Sequence, residues 1–366
     1  MNSITRPSQL PLRACAFAQR FGLRHPVLMA PMAGACPVAL AAAVAGAGGM
    51  AACAALLLDA SAIADWVARY RAVASGPLQI NLWIAEAAPL RDALHEARLR
   101  EFLGRFGPAV PADAGDSRPL DFESQCEALL VARPTAVSSI MGVYPAHYVR
   151  RLKDAGIAWF ANVTTVAEAR LAQDAGADVI VAQGSEAGGH RGVFDQSQAE
   201  ATATGLFALL PQVVDAVRLP VVATGGIGDG RGVAAALLLG ASAVQVGTAL
   251  LRCPETGIAA AWREALVDAL PHNTCLTRSF SGRAGRALAT AYVRAAAEAG
   301  APAPAPYPVQ RGLTAVMRKA AESSGSVDHL QAWSGQAAAL ARAVPAAQVV
   351  EGLWADAQAL LGAARI

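Results

Sequence analysis

The chain has 366 residues, 54% hydrophobic and 16% charged, with a formal net charge of +2. That length and apolar content support a large buried core. A near-neutral charge with no basic stripe leaves nucleic-acid binding without electrostatic support. The six cysteines are scattered with no Cys-x-x-Cys pair, which argues against a zinc site or a disulfide framework and fits a reducing cytoplasm.

From the N-terminus, basic residues interrupt the opening segment and no long apolar run precedes a cleavage-type sequence, so no secretory leader is expected. The uncharged run 26–58 is long enough to span a bilayer. Pro31, Pro37 and the "GAGG" at 46–49 divide it into a strand (27–30), a helix (37–45) and a second strand (49–53), so no membrane association is expected. A third strand follows at 78–82. Charged helical sequence at 86–106 and a Pro/Gly/Asp-rich loop at 107–120 then read as an insertion. Beyond it, "KDAGIAWFANV" (153–163), "QDAGADVIVAQ" (173–183) and "LLGASAVQVGT" (238–248) repeat one unit, in which a helix ends at glycine and a short apolar strand begins two residues later. Strands are expected at 135–141, 157–162, 178–182, 220–224 and 242–246, eight in all. Continuous apolar strands alternating with helices predict an α/β fold, a (β/α)8 TIM barrel. After residue 255 the remainder reads as Ala-rich and mostly helical, with "APAPAPYP" (301–308) as a stiff connector.

Barrel active sites lie where strands end. Those positions hold "APMAG" (30–34), Asn81, "AQGSEAGGHRG" (182–192), "TGGIGDG" (224–230) and "VGTAL" (246–250), with no metal-ligand cluster among them. The loops after strands seven and eight often carry a phosphate in such barrels. Gly225 and Gly226 lead into a predicted helix at 229–239, and Gly247 with Thr248 opens the helix expected after strand eight. Backbone N–H groups and helix N-termini would serve a phosphate there. One such loop alone would be an ordinary tight turn; two at these positions favour a phosphate-bearing cofactor. In the 182–192 loop, glycines let the backbone lie against a bulky planar group, Gln183 offers an amide that donates and accepts, and His190 brings a proton-transfer group to the mouth. Glu186 reads as a residue that orients or caps the turn, Cys36 as a small buried hydrophobe, and Trp333 as packing under the barrel's edge.

Together "PMAG" (31–34), Asn81, "QGSEAGGH" (183–190), "ATGGI" (223–227) and "QVGT" (245–248) resemble the nitronate monooxygenase family. "SGRAGR" (281–286), "YP" (307–308) and "WSGQ" (333–336) resemble its C-terminal landmarks. The resemblance implies an FMN-dependent enzyme that oxidises a small nitro compound or nitronate with dioxygen and needs no metal. His190 stands at the position of the family's catalytic histidine and would act as general base for neutral nitroalkanes. Ala30, Pro31, Met32, Asn81, Gln183, Gly188, Gly225, Gly226, Gln245, Val246, Gly247 and Thr248 would hold FMN, and Tyr307 and Arg283 would line the substrate pocket. The implied organisation is a barrel from residues 1–85 and 121–275, a smaller substrate domain from 86–120 and 276–319, and C-terminal helices packing on the barrel over 320–366. A flavin-dependent enoyl-ACP reductase, an NADH:quinone reductase and a non-catalytic flavin-binding barrel remain open on the same motifs.

Overall fold

The computed structural model describes residues 11–363. In chain order the strands are β1 (Val27–Met29), β2 (Ala51–Ala54), β3 (Leu78–Trp83), β4 (Ala136–Ile140), β5 (Ala158–Val163), β6 (Val179–Gln183), β7 (Gly189–His190), β8 (Val221–Thr224) and β9 (Ala243–Val246). All but β7 form one parallel sheet, and a bridge from Leu28 to Met50 closes it into a (β/α)8 barrel. Every barrel strand falls within two residues of its expected bounds. The helix-to-strand joints read from sequence turn on Gly156, Gly176 and Gly240, with φ of +70°, +98° and +100°. Those backbone angles suit glycine and end each helix sharply.

The inward face of the strands changes character along the barrel axis. Side chains alternate across a strand, so residues two apart share a face. Ala136, Phe160, Val181, Val222 and Ala243 fill the floor, sealed by Phe17 and Phe21 of the N-terminal helix Leu12–Phe21. Two residues further along the same strands stand Ser138, Asn162, Gln183, Thr224 and Gln245, all buried. The floor is thus an apolar plug, and the C-terminal end presents amides and hydroxyls. No helix among the described residues is long and apolar enough to cross a membrane. The 26–58 run contains only the short helix Val38–Gly46 between β1 and β2.

Three expectations need correction. The chain after residue 255 is not mostly helical. It supplies β10 (Thr274–Thr277) and β11 (Gly285–Leu288), which pair antiparallel with each other and, through Gly285 and Arg286, with His190 and Gly189 of β7. "TCLT" and "GRAL" are too short and mixed to announce strands; pairing across the chain makes them strands. The residues after β9 form only a 3-10 turn, Thr248–Leu250. The eighth outer helix of the barrel is instead Ala346–Ala363, which packs between the helices Gly230–Leu238 and Val38–Gly46. The third correction concerns the helix after β8. Its N-terminal N–H groups at Arg231 and Gly232 already donate to Asp229, so they are not available to a ligand.

The insertion forms a helix, Ala93–Leu103, and a 3-10 turn, Ala114–Asp116. Leu99, Phe102 and Leu103 pack with Phe280, Tyr292, Leu313 and Met317 in a hydrophobic cluster separate from the barrel's. The outer parts of the expected bounds, 1–10 and 364–366, lie outside the described residues.

Because helix Ala346–Ala363 completes the barrel wall, its buried Trp354 should be integral to the fold. Trp354→Ala is expected to destabilise the protein by about 3–5 kcal/mol, as for other large-to-small core changes. Urea unfolding checks this, and a midpoint equal to wild type would show the helix to be dispensable.

Candidate active site at the barrel mouth

The loop after β6 is held by charge from below. Arg191, fully buried, donates from Nη1 to the carbonyls of Gln183 (3.1 Å) and Gly184 (3.0 Å). Arg286, also buried, donates from Nε to the carbonyl of Ser185 at 2.8 Å. Three successive carbonyls therefore face two guanidinium groups. The Gln183 amide does donate and accept, but to the loop itself: Nε2 donates to the carbonyl of His190 (3.0 Å) and Oε1 accepts from the N–H of Gly192 (2.8 Å). Glu186 caps a helix, its two carboxylate oxygens accepting from the N–H of Leu206 at 2.9 Å. That helix, Leu206–Ala216, starts at Gly205, which offers no side-chain cap of its own.

The segment "WSGQ" straps across this loop. Gly335 donates to Thr248 Oγ1 (3.0 Å), and Gln336 donates to the carbonyl of Glu186 (2.9 Å). The approach needs glycine: a Cβ on Gly188 would lie 2.5 Å from the Gly335 nitrogen. Trp333 does not pack under the barrel's edge. Its ring lies 4.7 Å from that of His190, and Trp83 lies at the same distance on another side.

His190 is half-buried between these two indoles. Its Nε2 is 2.8 Å from Ser281 Oγ. The Ser281 hydroxyl also reaches the Arg283 carbonyl at 3.3 Å. If the hydroxyl donates to that carbonyl, Oγ accepts from Nε2–H and the lone pair resides on Nδ1; we assign this tautomer because it satisfies all three groups. Nδ1 makes no hydrogen bond among the described residues and is not sealed from the cavity. Burial, and then the charges of Arg283 and Arg311, push the His190 pKa down to about 3. The imidazole is therefore neutral at ordinary pH. The near-neutral value expected of a sequence-level histidine is overturned by desolvation and two neighbouring cations.

Arg283 is buried behind this wall. Its guanidinium lies 5.2 Å from the Trp83 ring and 5.0 Å from the Tyr307 ring, touches Met141 Sδ, and pairs with Glu86 at 2.6 Å. Neither Arg283 nor Tyr307 lines the main cavity; both line a second cleft of about 250 Å³.

The main cavity has a volume of about 620 Å³, within the range of small-molecule and cofactor sites. Ala30, Pro31, Met32, Asn81, Gln183, Gly188, His190, Gly225, Gly226, Gln245, Gly247 and Thr248 all border it. Val246 does not: its side chain packs outward into the helix-facing core, and its carbonyl accepts from Ala30 at 2.8 Å. The backbone N–H groups of Gly225, Gly226, Gly247 and Thr248 donate to no acceptor among the described residues. They border the cavity and form a cradle suited to a phosphate. Asn162 Nδ2, on the same cavity, is also buried and unpartnered. Sequence reasoning did not single out Ser281, Trp83, Arg191, Arg286 or Arg311. Ser281 and Arg286 stand inside the quoted "SGRAGR" and Arg191 inside "GGHRG", but nothing local in those strings shows what the side chains reach.

A nitronate monooxygenase family profile matches residues 16–356. A nitronate monooxygenase of Pseudomonas aeruginosa is 40% identical over 342 residues, 92% of this chain and 97% of its own length. That of Paraburkholderia phytofirmans is 38% identical over 337 residues, 91% and 92% of the two chains. Among solved structures, a nitroalkane oxidase from Streptomyces ansochromogenes superposes with a TM-score of 0.86 at 35% identity, covering 95% of this chain and 99% of that one. FabK from Thermotoga maritima superposes less closely, with a TM-score of 0.73 at 25% identity over 95% and 97% of the chains. A barrel whose mouth gathers a neutral histidine and backbone N–H groups without an acceptor among the described residues around one cavity, matched over nearly its whole length by these relatives, belongs to the nitronate monooxygenase family.

Proposed function

We propose that the protein is an FMN-dependent oxidoreductase that oxidises nitronates, and neutral nitroalkanes after removal of the α-proton, with dioxygen as oxidant. The observation that carries this reading is the cavity, which is bordered both by Gly225, Gly226, Gly247 and Thr248, whose N–H groups donate to no acceptor among the described residues, and by the His190 imidazole. Those N–H groups would hold the FMN phosphate, and Asn81, Asn162 and Gln245 would meet the flavin's polar atoms. When bound, FMN supplies the redox chemistry between nitronate and dioxygen. The separate cluster around helix Ala93–Leu103 and residues 276–319 serves in this reading as the substrate domain, its Arg283 and Tyr307 backing the cavity wall. The six free cysteines support a reducing, cytoplasmic setting.

The chain's own contribution to a neutral nitroalkane is proton abstraction. His190 Nδ1 takes the α-proton, while Ser281 holds the ring through Nε2 and fixes the tautomer. A base depressed to about 3 in the free protein would be weak if nothing changed. The nitronate formed beside it carries a negative charge, and that charge opposes both neighbouring cations and favours the imidazolium. Trp83 and Trp333 flank the ring and cover part of its surface.

Four outcomes are expected. The purified protein should be yellow, and acid-released flavin should run chromatographically as FMN; recovery of FAD alone defeats the cofactor assignment. Gly226 has a φ of +69°, and a Cβ there would lie 3.3 Å from that of Glu186, so Gly226→Val strains the cradle. Its flavin content should drop while its circular dichroism stays native, and full occupancy would place the phosphate elsewhere. His190→Asn should lose about 10²–10⁴-fold in turnover of a neutral nitroalkane, the usual worth of a positioned base, and much less on pre-formed nitronate. Equal losses on both substrates would rule out the base role. Finally, lowering the pH protonates a histidine only near its own pKa. The neutral-substrate rate limited by His190 should therefore stay level from about pH 8 down to about pH 5, because the group stays neutral until much lower pH. An acid limb centred near 6.5 would show the imidazole to be unperturbed.

A further inference from the structure

The cavity wall carries two arginines, Arg311 and Arg318, and two acids, Glu186 and Glu322. Two of these charges are engaged in hydrogen bonds, and a third acts on its neighbour through its charge alone. Glu186 is bound to the Leu206 N–H. Arg318 is spent on Thr314 Oγ1, Gln331 Oε1 and the Arg311 carbonyl, at 3.2, 3.3 and 3.0 Å. Glu322 offsets the charge of Arg318. Arg311 differs. Only its carbonyl takes part in hydrogen bonds, and its guanidinium N–H groups find no acceptor among the described residues. It is half-buried on helix Val309–Leu313, which packs against the 3-10 turn Ala114–Asp116 of the insertion and is thereby fixed in direction. It borders the same cavity as His190, where substrate must sit for proton transfer, and its charge helps hold the His190 pKa down.

We propose that Arg311 is the residue that recognises the negative charge of the substrate, binding a nitronate in its ground state and the incipient nitronate when a neutral nitroalkane is deprotonated. This rests on the functional reading above. A guanidinium with free donors matches the two oxygens of a nitronate's nitrogen head in the paired manner it matches a carboxylate. A neutral nitroalkane presents only weakly accepting oxygens until its proton leaves. The same residue therefore acts on different kinetic constants for the two substrates. For a pre-formed nitronate the interaction is present on binding and contributes to KM. For a neutral nitroalkane it strengthens only as the proton is transferred, and contributes to kcat.

The test uses the holoenzyme and two variants, Arg311→Gln and Arg311→Lys, with initial rates on pre-formed nitronate and on the neutral nitroalkane. In Arg311→Gln, KM for nitronate should rise about 10- to 100-fold, the range of a charge-assisted hydrogen bond, with kcat little changed. For the neutral substrate kcat should fall by a similar factor with KM little changed. Arg311→Lys should recover part of both. A merely structural role would move both constants for both substrates together, and that result overturns the proposal. A binding readout is independent of turnover: nitrate, a planar monoanion with oxygens on nitrogen, is titrated calorimetrically into wild type and both variants. Wild type should bind it at least ten times more tightly than Arg311→Gln, with Arg311→Lys between them. Absent binding to wild type, or equal affinity in wild type and Arg311→Lys if the glutamine variant does not fold, overturns it as well. Failure of wild type to oxidise either substrate would sink the functional reading. Retained oxidation with an unchanged nitronate KM in the Arg311 variants would sink this inference alone.

Discussion

Two buried guanidinium groups hold the carbonyls of Gln183, Gly184 and Ser185, and the geometry of the mouth depends on that contact. A loop with glycine at 184, 188 and 189 has little conformational preference of its own. Binding its carbonyls to fixed cations removes that freedom and makes His190 a residue of defined position. Arg191 comes from the loop's own end, and Arg286 from β11 nearly a hundred residues later, where its backbone also pairs with Gly189. The loop is thus set against the barrel and against the C-terminal sheet at once. Arg191 keeps Nε and Nη2 without partners among the described residues, although both are buried. Unpaired buried donors are costly, so the clamp is maintained against part of its own desolvation penalty, offset by the nearby carboxylates of Glu168 and Glu186.

The barrel beneath divides its labour along its axis. Its floor is sealed by Phe160 and the N-terminal phenylalanines, whose rings meet at 5.1 and 6.3 Å. Two residues higher the same strands turn polar, and amides of β3 tie into them or to backbone: Gln79 Nε2 donates to Gln245 Oε1 and to the Met29 carbonyl, and Asn81 Nδ2 donates to Ser138. Buried amides with fixed partners act as rigid lining, because releasing any one leaves an unpaired polar group. The rigidity of the floor and the preorganisation of the mouth have the same cause.

Electrostatics at the mouth favour an anion. His190 is kept neutral by burial and by Arg283 and Arg311, so the imidazole adds no competing positive charge in the resting state. Arg283 is paired with Glu86 and flanked by the Trp83 and Tyr307 rings, whereas the Arg311 guanidinium borders the cavity with no acceptor among the described residues. A site of this kind gains most from a ligand that is, or becomes, negatively charged.

The sequence by itself determined the barrel. Eight short apolar strands alternating with helices, three of which end at Gly156, Gly176 and Gly240, are local patterns, and local patterns are legible because period and turn chemistry lie within a few residues of each other. It also determined which strand ends crowd the cavity, since the C-terminal ends of parallel strands must share one face. The tertiary structure decided the rest, and each case involves partners far apart in the chain. "TCLT" and "GRAL" become strands only because they pair with each other and with the His190 segment. The eighth outer helix comes from 346–363 because the chain first builds the flanking cluster and returns only then to fill the gap between the helices 230–238 and 38–46. Val246 turns outward because its neighbour Gln245 faces in, a one-residue parity that a motif read as a block does not resolve. His190 loses its ordinary basicity, and Ser281, Trp83, Trp333 and Arg311 gain their places around the cavity, through contacts between segments about 90 to 140 residues apart. Charge and burial at a site are sums over such neighbours, and a sum of that kind exists only once the chain has folded.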